Sequence, residues 1–225
     1  MVYYNVTEEQ IVGIIRDRVE REMQITKLFA ENKKLVPTGI SVRHIHLSRQ
    51  EIDKLFGEGY ELTFKKGLSQ PGQFACKETL KLIGPKGSIE KVRVLGPARH
   101  KTQIEVAFSD ARQLGISPPV RTSGDIAHTP GVILRGPQGE CLLSEGVIIA
   151  DRHIHMSPVQ ATYFNVSAGD KVCVKVEGAK AGIMDNVTVR IGADYWLDFH
   201  IDTDDGNAFR LSQGQYVTVL DKKEA

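Results

Sequence analysis

The tetrad Arg-His-Ile-His occurs twice, at Arg43–His46 and at Arg152–His155, followed by Leu47-Ser48 in the first copy and Met156-Ser157 in the second. Side chains alternate sides along a β-strand, so histidines at i and i+2 point the same way. Each copy therefore offers two imidazoles as a pair of metal ligands. The repetition extends beyond the tetrads, because His44, Gly67 and Gly84 correspond to His153, Gly178 and Gly192 at nearly constant displacement. Each half reads tetrad, short helix, strand, glycine loop, strand. The expected result is two related β modules facing one another, with the tetrads where they meet.

The segments Leu80–Ile83, Lys91–Leu95, Gly131–Leu134, Val172–Val176, Val187–Ile191 and Tyr216–Leu220 read as short strands. Turns such as Gly84-Pro85-Lys86-Gly87 and Gly136-Pro137-Gln138-Gly139 separate them. Many short strands with frequent turns favour compact β-barrels. Ser48 is expected to cap a helix over Gln50–Phe56, and Ser157-Pro158 to open one over Val159–Phe164 with proline at the permitted first position. Residues 1–32 stand apart. Thr7 and Gln10 have the spacing of a capping box, and Ile11, Ile14, Ile15, Val19 and Met23 recur at helical intervals. This amphipathic helix either packs on the body or a second subunit, or is a detachable targeting or encapsulation segment; packing is the commoner use. The fold class is mainly β: two β-barrel modules with short capping helices, plus an N-terminal amphipathic α-helix.

A net charge of +1 gives no footprint for nucleic acid or an anionic membrane. No apolar run of about 18 residues appears, so no spanning helix is expected. The opening Met1–Asn5 lacks the apolar core of a secretory signal. Three cysteines, Cys76, Cys141 and Cys173, are far apart and odd in number, which argues against a disulfide framework and for the reducing cytoplasm. Cys173, between Val172 and Val174, reads as a core strand residue.

Each histidine pair needs a third protein ligand if a position is to stay open for chemistry. Glu105 follows the first tetrad on a β-like stretch, and His200 follows the second at similar depth. The outcome is a His44-His46-Glu105 set and a His153-His155-His200 set, both within the ligand chemistry of catalytic zinc. His100 and His128 fit no ligand spacing and read as surface or structural histidines. Asp202 could orient an imidazole, whereas Asp204 and Asp205 read as a solvated acidic turn. Arg99, just upstream of Glu105, suits an oxyanion held by a planar fork, and equally a surface ion pair. Ser123, before Gly124, offers a hydroxyl for a phosphate or carbonyl oxygen, or an ordinary turn. No serine-nucleophile elbow, P-loop or dinucleotide fingerprint is present. Residue chemistry alone points to a two-metal hydrolase or an acyl or phosphoryl transferase.

Six ordered motifs narrow this: Arg43–Ser48, Val94–Arg99, Thr102–Val106, Ser123–Asp125, Asp151–Ser157 and His200–Asp204. Together, over about Pro37–Leu220, the chain resembles the PduL-type phosphate acyltransferases, the phosphate propanoyltransferase family of propanediol-degrading bacterial microcompartments. The resemblance implies reversible conversion of a short-chain acyl-CoA (propanoyl-CoA or acetyl-CoA) and phosphate into acyl phosphate and free coenzyme A. The alternative is a dinuclear zinc hydrolase of a thioester or phosphate ester. It implies two divalent metal ions, usually zinc, one on His44, His46 and Glu105, the other on His153, His155 and His200. Arg99 would bind phosphate, Ser123 would lie near the reacting groups, and Ser41, Lys66, Arg93 and Asn207 would contact coenzyme A. One barrel would be discontinuous, 33–43 with 152–225, and 44–151 would form the other, with the active site at their interface. The expected setting is a homo-oligomer, a dimer, in the cytoplasm or within a microcompartment, with residues 1–32 reaching shell or core enzymes.

Overall fold

Apolar residues at alternate positions in stretches such as Leu80–Ile83 and Val172–Val176 make strands, and glycine follows several strands, as Gly84, Gly136 and Gly192 do. The computed structural model describes residues 7–220. The reading of Met1–Asn5 and the outer ends of the first and last expected segments lie outside the described residues. Along the chain come α1 (Glu8–Ala30), β1 (Leu35–Ser41), β2 (His44–Ser48), α2 (Arg49–Phe56), β3 (Phe64–Gly67) and β4 (Phe74–Ile83). Then follow β5 (Ser88–Arg99), β6 (Gln103–Glu105), α3 (Phe108–Leu114), β7 (Val120–Arg121), β8 (Ile133–Arg135), β9 (Glu140–Leu142) and β10 (Val147–Ala150). The remainder is β11 (His153–Met156), α4 (Pro158–Phe164), β12 (Lys171–Val176), β13 (Gly182–Ile191), β14 (Asp198–Asp202), α5 (Thr203–Phe209) and β15 (Tyr216–Val219).

The chain divides into two units. The first holds Val42–Leu68 and Gly72–Asp151, with a nine-stranded, half-barrel sheet in the order β7-β10-β6-β2-β5-β4-β8-β9, β3 pairing with β4. Its core is Ile45, Leu47, Leu55, Leu82, Ile104 and Leu134, all essentially inaccessible. Each such side chain contributes roughly 1.5–3 kcal/mol on burial. The second unit holds Thr7–Ser41, Ser69–Pro71 and the chain from Arg152 onward. Its strands close into a barrel, β1-β14-β11-β13-β12-β15, around Ile154, Met156, Val174, Val187 and Phe199. Among the described residues no helix is long and apolar enough to cross a membrane.

The sequence repeat returns as a repeat of pairing. β2 runs parallel to β5 and antiparallel to β6, while β11 runs parallel to β13 and antiparallel to β14. The strands ahead of the tetrads are exchanged between halves. β1 precedes the first tetrad but pairs in parallel with β14, Gly39 facing His200. β10 precedes the second but pairs in parallel with β6, Ile148 facing Glu105.

Several local expectations need correcting. Ser48 occupies the N-cap of α2 but makes no side-chain cap bond, because its hydroxyl donates to the Glu51 carboxylate instead. Cys173 is half-exposed and bonds to Asp185, while Val172 and Val174 take the core face; alternation puts the middle residue outside. The strand expected at Gly131–Leu134 begins later, at Ile133. Gly131 serves a close approach, since a methyl there would lie 1.8 Å from the Leu143 carbonyl oxygen. Gly131→Ala is expected to destabilise the fold by about 1–3 kcal/mol or more, measured as a lower urea midpoint at unchanged slope.

Helix α1 opens with the capping box: Thr7 N–H donates to Gln10 Oε1 at 2.8 Å and Gln10 N–H to Thr7 Oγ1 at 3.3 Å. It packs on the second unit through buried Ile25 and through Phe29, whose ring stacks on Tyr163 at 3.9 Å. The apolar stripe expected to pack does not do so along its length: Ile15, Val19 and Met23 are exposed, with Val12 beside them. Spacing ranks positions by hydropathy, whereas two arginines also make contacts here, Arg21 to the Leu197 carbonyl and exposed Arg18 over the Trp196 ring.

Candidate metal centres

Strand pairing assembles each ligand set. In the first unit His44 lies opposite Glu105, and Gln103 opposite His46, across β2 and β6. In the second, His153 lies opposite His200, and Asp198 opposite His155, across β11 and β14. In each of the two groups, His44-His46-Glu105 and His153-His155-His200, the candidate ligand atoms all lie within 4.8 Å of one another. His100 and His128 belong to neither group, as the spacing argument expects.

The arginines that open the tetrads brace these hairpins. Arg43 Nε bonds Asp110 Oδ1 at 2.6 Å, and Arg152 makes a two-point bond to Asp205 at 2.8 and 2.7 Å. Asp110 and Asp205 stand at matched positions, in the first turn of the helix that follows each third-ligand strand. Asp205 is therefore an ion-pair partner rather than part of a solvated turn. Asp202 caps α5 by accepting from Asp205 N–H, and burial raises its pKa.

The rings sit in different electrostatic surroundings. His44 Nδ1 meets the Val42 carbonyl at 2.9 Å, which turns Nε2 toward Glu105 Oε2, 3.4 Å away. Burial opposes charge on His44, but Glu105 outweighs it and raises the pKa. Burial, with neighbouring positive charge, pushes His46 and His155 down to about 2, so both stay neutral. His46 Nδ1 and both nitrogens of His155 are buried without a hydrogen-bond partner. Buried polar atoms rarely stay unpaired, and an electron-pair acceptor satisfies those that face the ligand cluster. The donor set thus fits a divalent cation at each centre, of the kind imidazole favours.

A polar network surrounds the first centre. Gln103 is buried; its Nε2 donates to Glu105 Oε1 at 2.7 Å and to Ser123 Oγ at 2.8 Å, while its Oε1 accepts from Gly124 N–H at 2.8 Å. Ser123 Oγ bonds Glu105 Oε1 at 3.1 Å, and Arg99 Nη1 reaches Ser123 at 3.4 Å. Arg99 is thus linked to Glu105 through the Ser123 hydroxyl. At the second centre Gln70, from the Ser69–Pro71 loop, bonds both the carbonyl and the N–H of Trp196 and approaches His200 Nε2 at 3.4 Å.

Of the four expected coenzyme A contacts, two lie in each unit. Ser41 pairs with Asp202, the cap of the helix bearing exposed Asn207. Lys66 is exposed on β3; Arg93 lies opposite His44 and donates to the carbonyls of Cys76 and Lys77 at 2.9 and 2.7 Å. Gln103, Gln70, Asp198 and Arg21 were not legible as site residues. The signal for Gln103 and Asp198 was available: each stands two positions before a third ligand and shares its face.

A family model described as phosphate propanoyltransferase matches residues 37–212. A phosphate propanoyltransferase of Thermotoga maritima is 52% identical over 184 residues, 81% of this chain and 88% of its own. One from Escherichia fergusonii is 48% identical over 209 residues, 92% of this chain and 99% of its own. One from Listeria monocytogenes is 46% identical over 207 residues, 89% and 97% of the two chains.

Proposed function

The chain belongs to the phosphate propanoyltransferase family, and from that premise we propose that its two triads hold a pair of divalent cations, zinc by ligand chemistry, for direct acyl transfer from coenzyme A to phosphate. It is an acyltransferase enzyme acting between acyl-CoA and phosphate. The observation that carries the mechanism is the chain of contacts from Arg99 to Ser123 and from Ser123 to Glu105, which supports an anion fork beside a ligand cluster.

Phosphate is already an anionic nucleophile at neutral pH. One of its oxygens attacks the thioester carbonyl carbon; the C–O bond forms, the C–S bond breaks, and coenzyme A leaves as its thiolate. When bound, the cations supply positive charge that holds phosphate at the carbonyl and offsets the negative charge developing on its oxygen. Arg99 grips two remaining phosphate oxygens as a planar fork. Ser123 orders the same region through Glu105 and Gln103, and Gln103 fixes which way Glu105 turns. An acyl-enzyme has little support, because burial pushes the Cys76 thiol up to about 12 and raises Cys141 as well. Lys66 and Arg93 would meet coenzyme A phosphates, with Ser41 and Asn207 as polar contacts. That both triads serve one reaction is part of the proposal, as are propanoyl-CoA as first substrate and acetyl-CoA as second.

The reading extends to assembly in the cytoplasm. The exposed Val12, Ile15, Val19 and Met23 face of α1 suits contact with a second copy or with the shell or core enzymes of a microcompartment. For the chemistry, coenzyme A release from propanoyl-CoA is expected to require phosphate and to yield propanoyl phosphate. Equal release in phosphate-free buffer, with free acid as product, would overturn the assignment.

A further inference from the structure

Helix α1 reaches the three-histidine centre through one side chain. Arg21 Nη2 donates to the Leu197 carbonyl at 2.6 Å and lies 3.2 Å from Asp198 Oδ1. Arg18 covers the Trp196 ring at 4.7 Å. Two guanidinium groups of α1 therefore hold the segment that leads into His200. The Asp198 side chain is 2% exposed. Its other oxygen, Oδ2, has no hydrogen-bond partner and lies 3.4 Å from His200 Nε2. Gly39 leaves room for it: a methyl there would come within 3.0 Å of Oδ2.

This buried carboxylate oxygen with no donor stands next to one imidazole of the cluster, yet Asp198 is outside the group whose ligand atoms all lie within 4.8 Å of one another. Resting on the metal reading above, we propose that Arg21 is a positioning residue whose ion pair keeps Asp198 beside the three-histidine centre rather than on its cation, leaving a coordination position for substrate. The guanidinium on Oδ1 fixes the carboxylate's rotation and shares its charge. Without Arg21 the buried anion loses the guanidinium that balances it, and the cation becomes the charge that draws it. Four protein ligands close a zinc site, and three leave it open for chemistry. The first centre shows the complementary arrangement. Gln103 stands where Asp198 stands, as a neutral carboxamide, and the anionic group there is the ligand Glu105 itself. The second centre thus differs from the first in having a carboxylate at this position, paired with a cationic side chain.

The test compares full-length wild type with Arg21→Met, both loaded with cobalt. Wild type is expected to bind two cobalt ions. In Arg21→Met the visible cobalt absorption should weaken as one ion gains a ligand. Release of that ion to a chelator should slow by about 10–100-fold, with a similar fall in acyl transfer. Adding Asp198→Asn should return release to the rate of Asp198→Asn alone. Arg21→Lys should shift the spectrum and release rate in the same direction by less, and it stands in if Arg21→Met does not fold. An unchanged spectrum and release rate in both Arg21 variants would overturn the proposal, as would an effect undiminished by Asp198→Asn. Failure of wild type to bind a second ion would sink the metal reading itself, a distinct result.

Discussion

Replacing Arg99 with alanine is expected to lower kcat/KM for phosphate by about a hundred- to a thousandfold, the usual loss when one preorganised oxyanion contact is removed. Arg99 ends β5 opposite Ser48, half-buried, with Nη1 directed at Ser123. Its positive charge contributes to the lowered pKa of His46 and opposes protonation of His44, so it already acts on the ligand cluster in the free protein. Bound phosphate would add charge of the opposite sign at that point. Arg99→Lys should recover little, because an ammonium supplies a point charge where two oxygens need a fork. Phosphate saturation curves with elemental analysis of the same samples decide the matter. Metal content should stay at the wild-type level, and its loss would make Arg99 structural.

Removal of the metals should abolish transfer altogether, and added zinc should restore it. His155→Ala should do the same for one ion, beyond the roughly 10–100-fold expected from losing an outer partner. His155 is the cleaner site to mutate, because both of its nitrogens are buried without a hydrogen-bond partner. Far-UV circular dichroism of the stripped protein should match the loaded form. The candidate ligands alternate along their strands with Ile45, Leu47, Ile104, Ile154, Met156 and Phe199, which belong to the two apolar cores. Unfolding on chelation would instead mark the ions as structural, as in domains whose folding depends on metal.

Much of this arrangement was legible because it is local. Two-residue spacing placed His44 with His46 and His153 with His155, and matched stretches offered Glu105 and His200 as the third members of the two groups. The cap of α1 and the proline opening of α4 follow from a few neighbouring residues. What escaped depends on pairing across long stretches of chain. Nothing near Arg21 announces Leu197 or Asp198, and nothing near Gln70 announces Trp196. Asp205 looked solvated because its partner, Arg152, lies in another element. Hydrophobic alternation does not reveal the exchange of β1 and β10 either, since it identifies a strand but not its neighbours; only the family resemblance implied that 33–43 go with 152–225.

The pairing of β1 with β14 also bears on the order in which the protein can be made. During synthesis Thr38 leaves the ribosome long before Phe199, its partner across the barrel. Until then β1 is an open edge, the kind of template on which nascent chains mispair. Pro37 and Gly39 within it are poor guests in any foreign ladder. Meanwhile the first unit lies wholly between β1 and β11, so its prior collapse brings the ends of that long loop closer before the barrel must close.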